Sequence, residues 1–152
     1  SRYVEYYWRT WPLIGFGVSS KSVIHDRLYT NIRPLKEYIE RVNSNQSLLD
    51  FATRITKEQE MRRVMIRGLK MCLVSKADFL ARFGMSMETV FGREIKDLVA
   101  RGLIENKPEC IQLTREGQVF SSNAWETFFT DEDFRAPKDG EVQFGLSELV
   151  LN

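Results

Sequence analysis

Cysteine is scarce in this sequence of 152 residues: there are two, Cys72 and Cys110. Two cannot build a disulfide framework, and their spacing fits no common ligand motif, so a reducing, cytoplasmic environment is the default expectation. Both read as small buried hydrophobes. Histidine is scarcer. His25 stands alone, so neither a Ser-His-Asp arrangement nor a two-histidine metal site can be assembled, and it reads as a loop residue. Net charge is close to nil: 22 Lys and Arg against 21 Asp and Glu leave +1. That balance supplies no global field to draw in nucleic acid or an anionic membrane, so any such partner needs a local patch. No apolar run approaches the length of a membrane span and no signal peptide opens the chain, so no membrane partner is expected. The length is too short for the barrel or doubly wound sheet of a cofactor enzyme. With 43% apolar and 28% charged residues, the composition is that of a soluble globular chain with a real core.

What is present begins with aromatics. Tyr3, Tyr6, Tyr7, Trp8, Trp11 and Phe16 crowd the first sixteen positions, where an intact domain is usually polar and frayed, so the chain is expected to start inside a larger fold. Deprived of such a neighbour, the aromatic start is expected to self-associate or to be disordered. Leu-Ile-Gly-Phe-Gly-Val at 13–18 reads as a short buried strand whose Gly15 and Gly17 bulge or admit another backbone or ligand. A polar loop from Ser19 to Thr30 is expected next. Pro34 suits a first helical turn, and Leu35, Tyr38, Ile39 and Val42 recur at helical spacing until Asn43-Ser44-Asn45. Residues 46–55 read as linker.

Beyond it the punctuation is regular. Thr56 and Gln59 fit a capping box, and Met61, Val64, Met65, Leu69 and Cys72 form one apolar helical stripe. Ser75 is placed to cap a short helix with Phe79, Leu80 and Phe83 inward, ended by Gly84. Ser86 opens a third helix with Phe91, Ile95, Leu98 and Val99 as its buried face and Gly102 as its stop. Residues 103–105 and 110–113 read as a hairpin around Asn106–Glu109, and Thr114 starts a closing helix carrying Val119, Phe120, Ala124 and Phe128. The fold class expected is mainly α with a small β-hairpin: a winged helix-turn-helix-like domain over 56–129, preceded by a strand-loop-helix segment over 1–45. The remainder, 130–152, reads as an acidic C-terminal tail: six carboxylates (Asp131, Glu132, Asp133, Asp139, Glu141, Glu148) face only Arg135 and Lys138.

The obvious function for a winged helix is DNA binding through its third helix. Here Arg93, Lys96 and Arg101 are cancelled by Glu88, Glu94 and Asp97, so no nucleic acid is expected as a partner. Arg62, Arg63, Arg67 and Lys70 on the first helix read as a solvated face. One stretch has the chemistry of a ligand site. In Gly15-Phe-Gly17-Val-Ser19-Ser20-Lys21-Ser22 two glycines permit close approach, three hydroxyls and backbone amides offer hydrogen bonds, and Lys21 offers a cation. A plain strand-to-loop turn explains the same residues, and both readings stay open on composition alone.

The order of Tyr7-Trp8, the 13–22 stretch, Arg27, Tyr29 and Asn31, then Leu35 and Tyr38, resembles the C-terminal portion of the oxygen-independent coproporphyrinogen III oxidase family, which are radical S-adenosylmethionine enzymes. The resemblance continues through Glu60, Gly68-Leu69-Lys70, Phe79, Phe83-Gly84 and the hairpin into Gly117. It implies a parent with an N-terminal partial barrel that holds a four-iron four-sulfur cluster on a C-x3-C-x2-C motif and uses S-adenosyl-L-methionine. That motif is absent, so this chain is expected to hold no cofactor, to be inactive alone, and to be an excised substrate-covering and docking domain. The resemblance implies Val18, Ser20 and Lys21 as lining residues near cofactor and substrate, with the missing barrel and a tetrapyrrole as partners. The family includes oxidases, haem chaperones and radical methyltransferases. The alternative from another class is a winged-helix module that binds DNA or a protein partner.

Overall fold

The computed structural model describes residues 9, 10 and 12–130. The aromatics at positions 3, 6, 7, 8 and 11 and the acidic tail from residue 131 lie outside the described residues. The chain divides into two compact units: among the described residues one holds 12–57 and the other holds 9 and 10 with 58–130.

The first unit is built on an antiparallel sheet of β1 (Lys21–Ile24), β2 (Arg27–Asn31) and β3 (Leu49–Arg54), in the order β1-β2-β3. Here the structure corrects the strand-loop-helix segment. The residues expected as a loop, 19–30, contain a hairpin: Val23 pairs with Leu28 and Lys21 with Thr30, and Val23, Leu28 and Thr30 are buried on one face. The turn is tight because His25 takes a left-handed conformation (φ 55°). The supposed linker holds β3, whose Thr53 and Phe51 lie opposite Leu28 and Thr30. Conversely, the expected strand at 13–18 touches the sheet through a single bridge, Leu13 with Val23, and its Ile14 and Phe16 are exposed rather than buried. Helix α1 (Leu35–Asn43) forms where the spacing predicted it, after Pro34. None of its residues is buried: Leu35, Ile39 and Val42 each keep half or more of their surface in solvent.

The second unit follows the order α2 (Lys57–Lys70), β4 (Leu73–Ser75), α3 (Lys76–Phe83), α4 (Met87–Ala100), β5 (Ile104–Asn106), β6 (Cys110–Leu113), then α5 (Arg115–Val119), α6 (Ser121–Trp125) and a 3-10 turn at Glu126–Phe128. This is a winged helix-turn-helix order: α3 and α4 are the helix pair, and β5 and β6 are the wing on a sheet ordered β4-β6-β5. Three of the expected caps are in place. Ser75 Oγ accepts from the Asp78 amide at 3.2 Å, Ser86 Oγ from Thr89 at 3.1 Å and Thr114 Oγ1 from Gly117 at 2.9 Å. Gly84 and Gly102 adopt left-handed φ of 71° and 69°, which costs glycine nothing and other residues strain. Gly117 has a different reason to be glycine: a Cβ there would stand 1.9 Å from the Leu103 carbonyl oxygen.

The core joins Met61, Met65, Ile66 and Leu69 of α2 to Phe79, Phe83, Phe91, Ile95, Leu98, Ile111, Leu113 and Phe128, all buried. Phe91 is its hub, edge-on to Phe128 at 5.4 Å and to Phe79 at 6.2 Å between ring centres, geometry that adds to the area buried. Leu80, Val99, Val119 and Phe120, expected inward, are exposed. The closing helix breaks at Phe120 (φ −104°, ψ 40°) into α5 and α6, which turns Val119 and Phe120 out while Ala124 and Phe128 stay in.

Candidate functional site

The stretch singled out by its chemistry folds as a braced turn within the first unit. Gly15 must be glycine: a Cβ would stand 2.5 Å from the Lys21 carbonyl oxygen, so another part of the backbone does approach closely there. Its amide donates to Ser22 Oγ at 3.0 Å. Gly17 has φ +99° with open space where a Cβ would be, so its freedom serves the turn and not packing. Ser19, also left-handed (φ 56°), donates its amide to the Ile32 carbonyl at 3.0 Å.

Of the three lining residues implied by resemblance, Ser20 is engaged inside the turn. Its hydroxyl donates to the Gly17 carbonyl at 2.8 Å and accepts from Asn31 Nδ2 at 2.9 Å. Val18 is exposed at the outer edge of the turn. Lys21 is half-buried as the first residue of β1, paired in register with Thr30. The turn therefore brings Val18, Ser20 and Lys21 together along a few residues of backbone, with Phe16 beside them at 90% exposure. His25 sits at the far end of the hairpin, exposed.

Sequence reasoning missed a second polar cluster, inside the second unit. Arg63, taken as part of a solvated face, is 1% exposed, and Arg67 is buried as well. Arg63 Nε lies 2.9 Å from Glu60 Oε2, a charge contact without hydrogen-bond alignment, and its terminal nitrogen donates to Glu60 Oε1 at 3.2 Å and to the Thr10 carbonyl at 3.3 Å. Arg82 closes the cluster by donating to Glu60, to the Thr10 hydroxyl and, at 3.1 Å, to the Thr10 carbonyl. Burial lowers the Arg82 pKa, and the Glu60 carboxylate works against that drop. Two guanidiniums face one carboxylate, and the Thr10 carbonyl accepts from both. Helical periodicity carries no signal for this, because an arginine buried against a carboxylate and one in water have the same spacing.

A four-iron cluster does not fit the residues present. Cys72 stands at the end of α2 and Cys110 opens β6, and the ladder pairs Ser75 with Cys110 and Leu73 with Gln112. The two thiols are thus about three residues apart along the strands, roughly 10 Å at the usual rise, too far even for a disulfide. Among the described residues no three Cys, His, Asp or Glu side chains are grouped to hold a metal. No helix there is long and apolar enough to cross a membrane.

Element order, wing and caps define the second unit as a winged helix. More particularly, residues 55–120 match the family described as the HemN C-terminal domain. The chain is 28% identical to the heme chaperone HemW of Bacillus subtilis over 80% of its own length and 32% of the relative's. Against the oxygen-independent coproporphyrinogen III oxidase of Salmonella typhimurium it is 28% identical over 73% of its length and 25% of the relative's. It therefore spans about a third or less of the curated relatives it matches. Among solved structures, the coproporphyrinogen III oxidase of Escherichia coli, titled a radical SAM enzyme, superposes with a TM-score of 0.63 at 24% identity, covering 78% of this chain and 28% of that one. The fold is shared with part of that chain, and the expected likeness to haem-related proteins stands on the curated relatives.

Proposed function

We propose that this chain is the C-terminal substrate-covering and docking part of a coproporphyrinogen III oxidase-like or HemW-like protein that handles a tetrapyrrole. The observation that carries the reading is the extent of the likeness: it reaches beyond the winged helix at 55–120 to about four-fifths of the chain, and so into the unit that holds the braced turn. In this reading residues 1–45 pack against an N-terminal radical SAM barrel, 56–129 are the winged-helix domain and 130–152 are an acidic extension. The cluster and S-adenosyl-L-methionine belong to the barrel, since the donor set here does not fit the cluster. Exposed Ile14, Phe16 and Val18 on one edge and Leu35, Ile39 and Val42 on α1 support it, because a soluble unit of this size ordinarily covers such side chains.

At the turn, Val18 and Phe16 supply apolar contact for the face of a macrocycle, Ser20 holds the backbone in place, and Lys21 pairs with a propionate carboxylate. The reading of a DNA-binding winged helix finds no support: α4 carries three acids against two bases, balanced only by Arg101 at its C-cap, and carboxylates facing phosphate oppose binding.

The test is a titration of the 152-residue chain with coproporphyrin III, followed by porphyrin absorbance. Binding in the micromolar range is expected, and Lys21→Ala or Lys21→Met weakens it by about 1 to 3 kcal/mol, roughly fivefold to a hundredfold, if charge is the cause. Equal affinity in both variants and the parent withdraws Lys21 from the site. Absence of any saturable binding removes the tetrapyrrole from the proposal.

A further inference from the structure

We infer that Asn31 is the positioning residue of the braced turn, an inference that rests on the tetrapyrrole reading above for its functional consequence but not for its geometry. Asn31 ends β2, where the pairing with β3 slips: Thr30 lies opposite Phe51 but Asn31 lies opposite Leu49. The extra residue, Asp50, belongs to β3, so the ladder ends irregularly beside Asn31. The Asn31 amide group faces the turn, where Nδ2 donates to the Gly17 carbonyl at 3.0 Å and to Ser20 Oγ at 2.9 Å. The main chain of Asn31 joins in, its N–H donating to the Ser20 carbonyl at 3.0 Å. One residue from a different strand therefore contacts both ends of the Gly17–Ser20 segment, through three bonds.

The turn needs such a brace. Gly17 and Ser19 both hold positive φ, conformations a chain leaves readily unless its surroundings fix them. Ser19 and Val18 are exposed and bury nothing that would hold the loop by packing. Phe16, at 90% exposure, gains no anchorage from its ring either. Together with the Ser19 amide bond to the Ile32 carbonyl, the hydrogen bonds to Asn31 tie this turn to the sheet, and they set where Phe16, Val18 and Lys21 stand before a ligand arrives. Presenting a contact surface already ordered lowers the entropy lost on binding.

The chemistry is specific to the amide. Aspartate has the same shape but offers only acceptors to a carbonyl and a hydroxyl oxygen, so Asn31→Asp converts a donated bond to Gly17 into repulsion. Ser20→Ala removes one acceptor and leaves the Gly17 bond.

The experiment measures amide exchange and coproporphyrin III affinity on the full chain for the parent, Asn31→Asp, Asn31→Ala and Ser20→Ala. Exchange at Ser19 should quicken about tenfold or more in both Asn31 variants and less in Ser20→Ala, while amides of Leu28 and Thr53 keep their protection and the melting temperature moves by no more than about 3 °C. Coproporphyrin III affinity, read far below the melting temperature, should fall at least about fivefold in the Asn31 variants, a change that general destabilisation would not produce. Unchanged exchange at Ser19 overturns the inference. So does quickened exchange with unaltered affinity, which would make Asn31 a stability residue only. If the parent itself binds no porphyrin, the tetrapyrrole reading fails, and the Ser19 exchange alone decides whether Asn31 holds the turn.

Discussion

The two units of this chain handle their apolar residues in opposite ways. Among the described residues the first unit buries Val23, Leu28, Ile32 and Ile55 and exposes Ile14, Phe16, Val18, Leu35, Ile39, Val42 and Leu49. The second buries some eighteen apolar side chains, with Phe91 at the hub, and exposes only six large ones, Met71, Leu73, Leu80, Val99, Val119 and Phe120. A helix with no buried residue, such as α1, gains little from packing and is too short to persist on propensity alone. The lesson is that the winged helix carries its own core, whereas the sheet-and-helix unit leaves most of its large apolar side chains in solvent.

Core deletion in the second unit should give the largest effect that tests this contrast. Phe91→Ala removes a fully buried aromatic with its two ring contacts and is expected to cost about 3 to 5 kcal/mol in chemical denaturation. A loss below about 1 kcal/mol would mean the winged helix does not depend on this core. Next comes the buried ionic cluster. Glu60→Gln leaves Arg63, 1% exposed, and Arg82 without their counter-charge, so destabilisation of about 2 to 4 kcal/mol is expected from the uncompensated guanidinium. Double replacement, Glu60→Gln with Arg63→Met, should recover part of it, and failure to recover would assign the loss to packing.

The first unit should respond in the other sense. Phe16→Ser and Ile39→Ser remove exposed side chains and are expected to leave stability within about 0.5 kcal/mol of the parent while improving solubility. A loss above about 1.5 kcal/mol for either would show that these side chains already have a partner in the isolated chain, and the contrast would break. The smallest effect is electrostatic. Lys76 pairs with Glu88, and its hydrogen bond holds the Glu88 carboxyl below the ordinary range, with some opposition from burial. Because the folded value is depressed, the pair stabilises above the unfolded pKa of Glu88 and that stability is lost as pH falls through the lower folded value. The side chain is largely exposed, so solvent screening leaves at most a few tenths of a kcal/mol. Titration by NMR should show the Glu88 value rising towards normal in Lys76→Met, and no movement would remove the pair from the account.

Legibility divided along the same line. The second unit was readable because its signals are local: Ser75, Ser86 and Thr114 cap helices from three residues away, and Gly84 and Gly102 end them. In the first unit the hairpin and β3 escaped notice because pairing is decided across the chain. Asp50 and Arg54 make 46–55 look like a linker, and only the apposition of Phe51 and Thr53 to β2 makes it a strand. The candidate turn was legible in composition through Gly15, Gly17 and the serines, while the residue that braces it, Asn31, lies fourteen positions from Gly17.

The sequence by itself determined the winged-helix order, its caps and stops, the near-zero charge of α4 and the want of thiols for a cluster, because each depends on residue type or on neighbours within a turn or two. Only the tertiary structure decided that Arg63 and Arg67 are buried, that α1 keeps its apolar face outward, and that the Asn31 amide reaches the Gly17 carbonyl. Those outcomes depend on which distant groups meet, and the energy of a charge, an apolar stripe or an amide changes sign with what it meets.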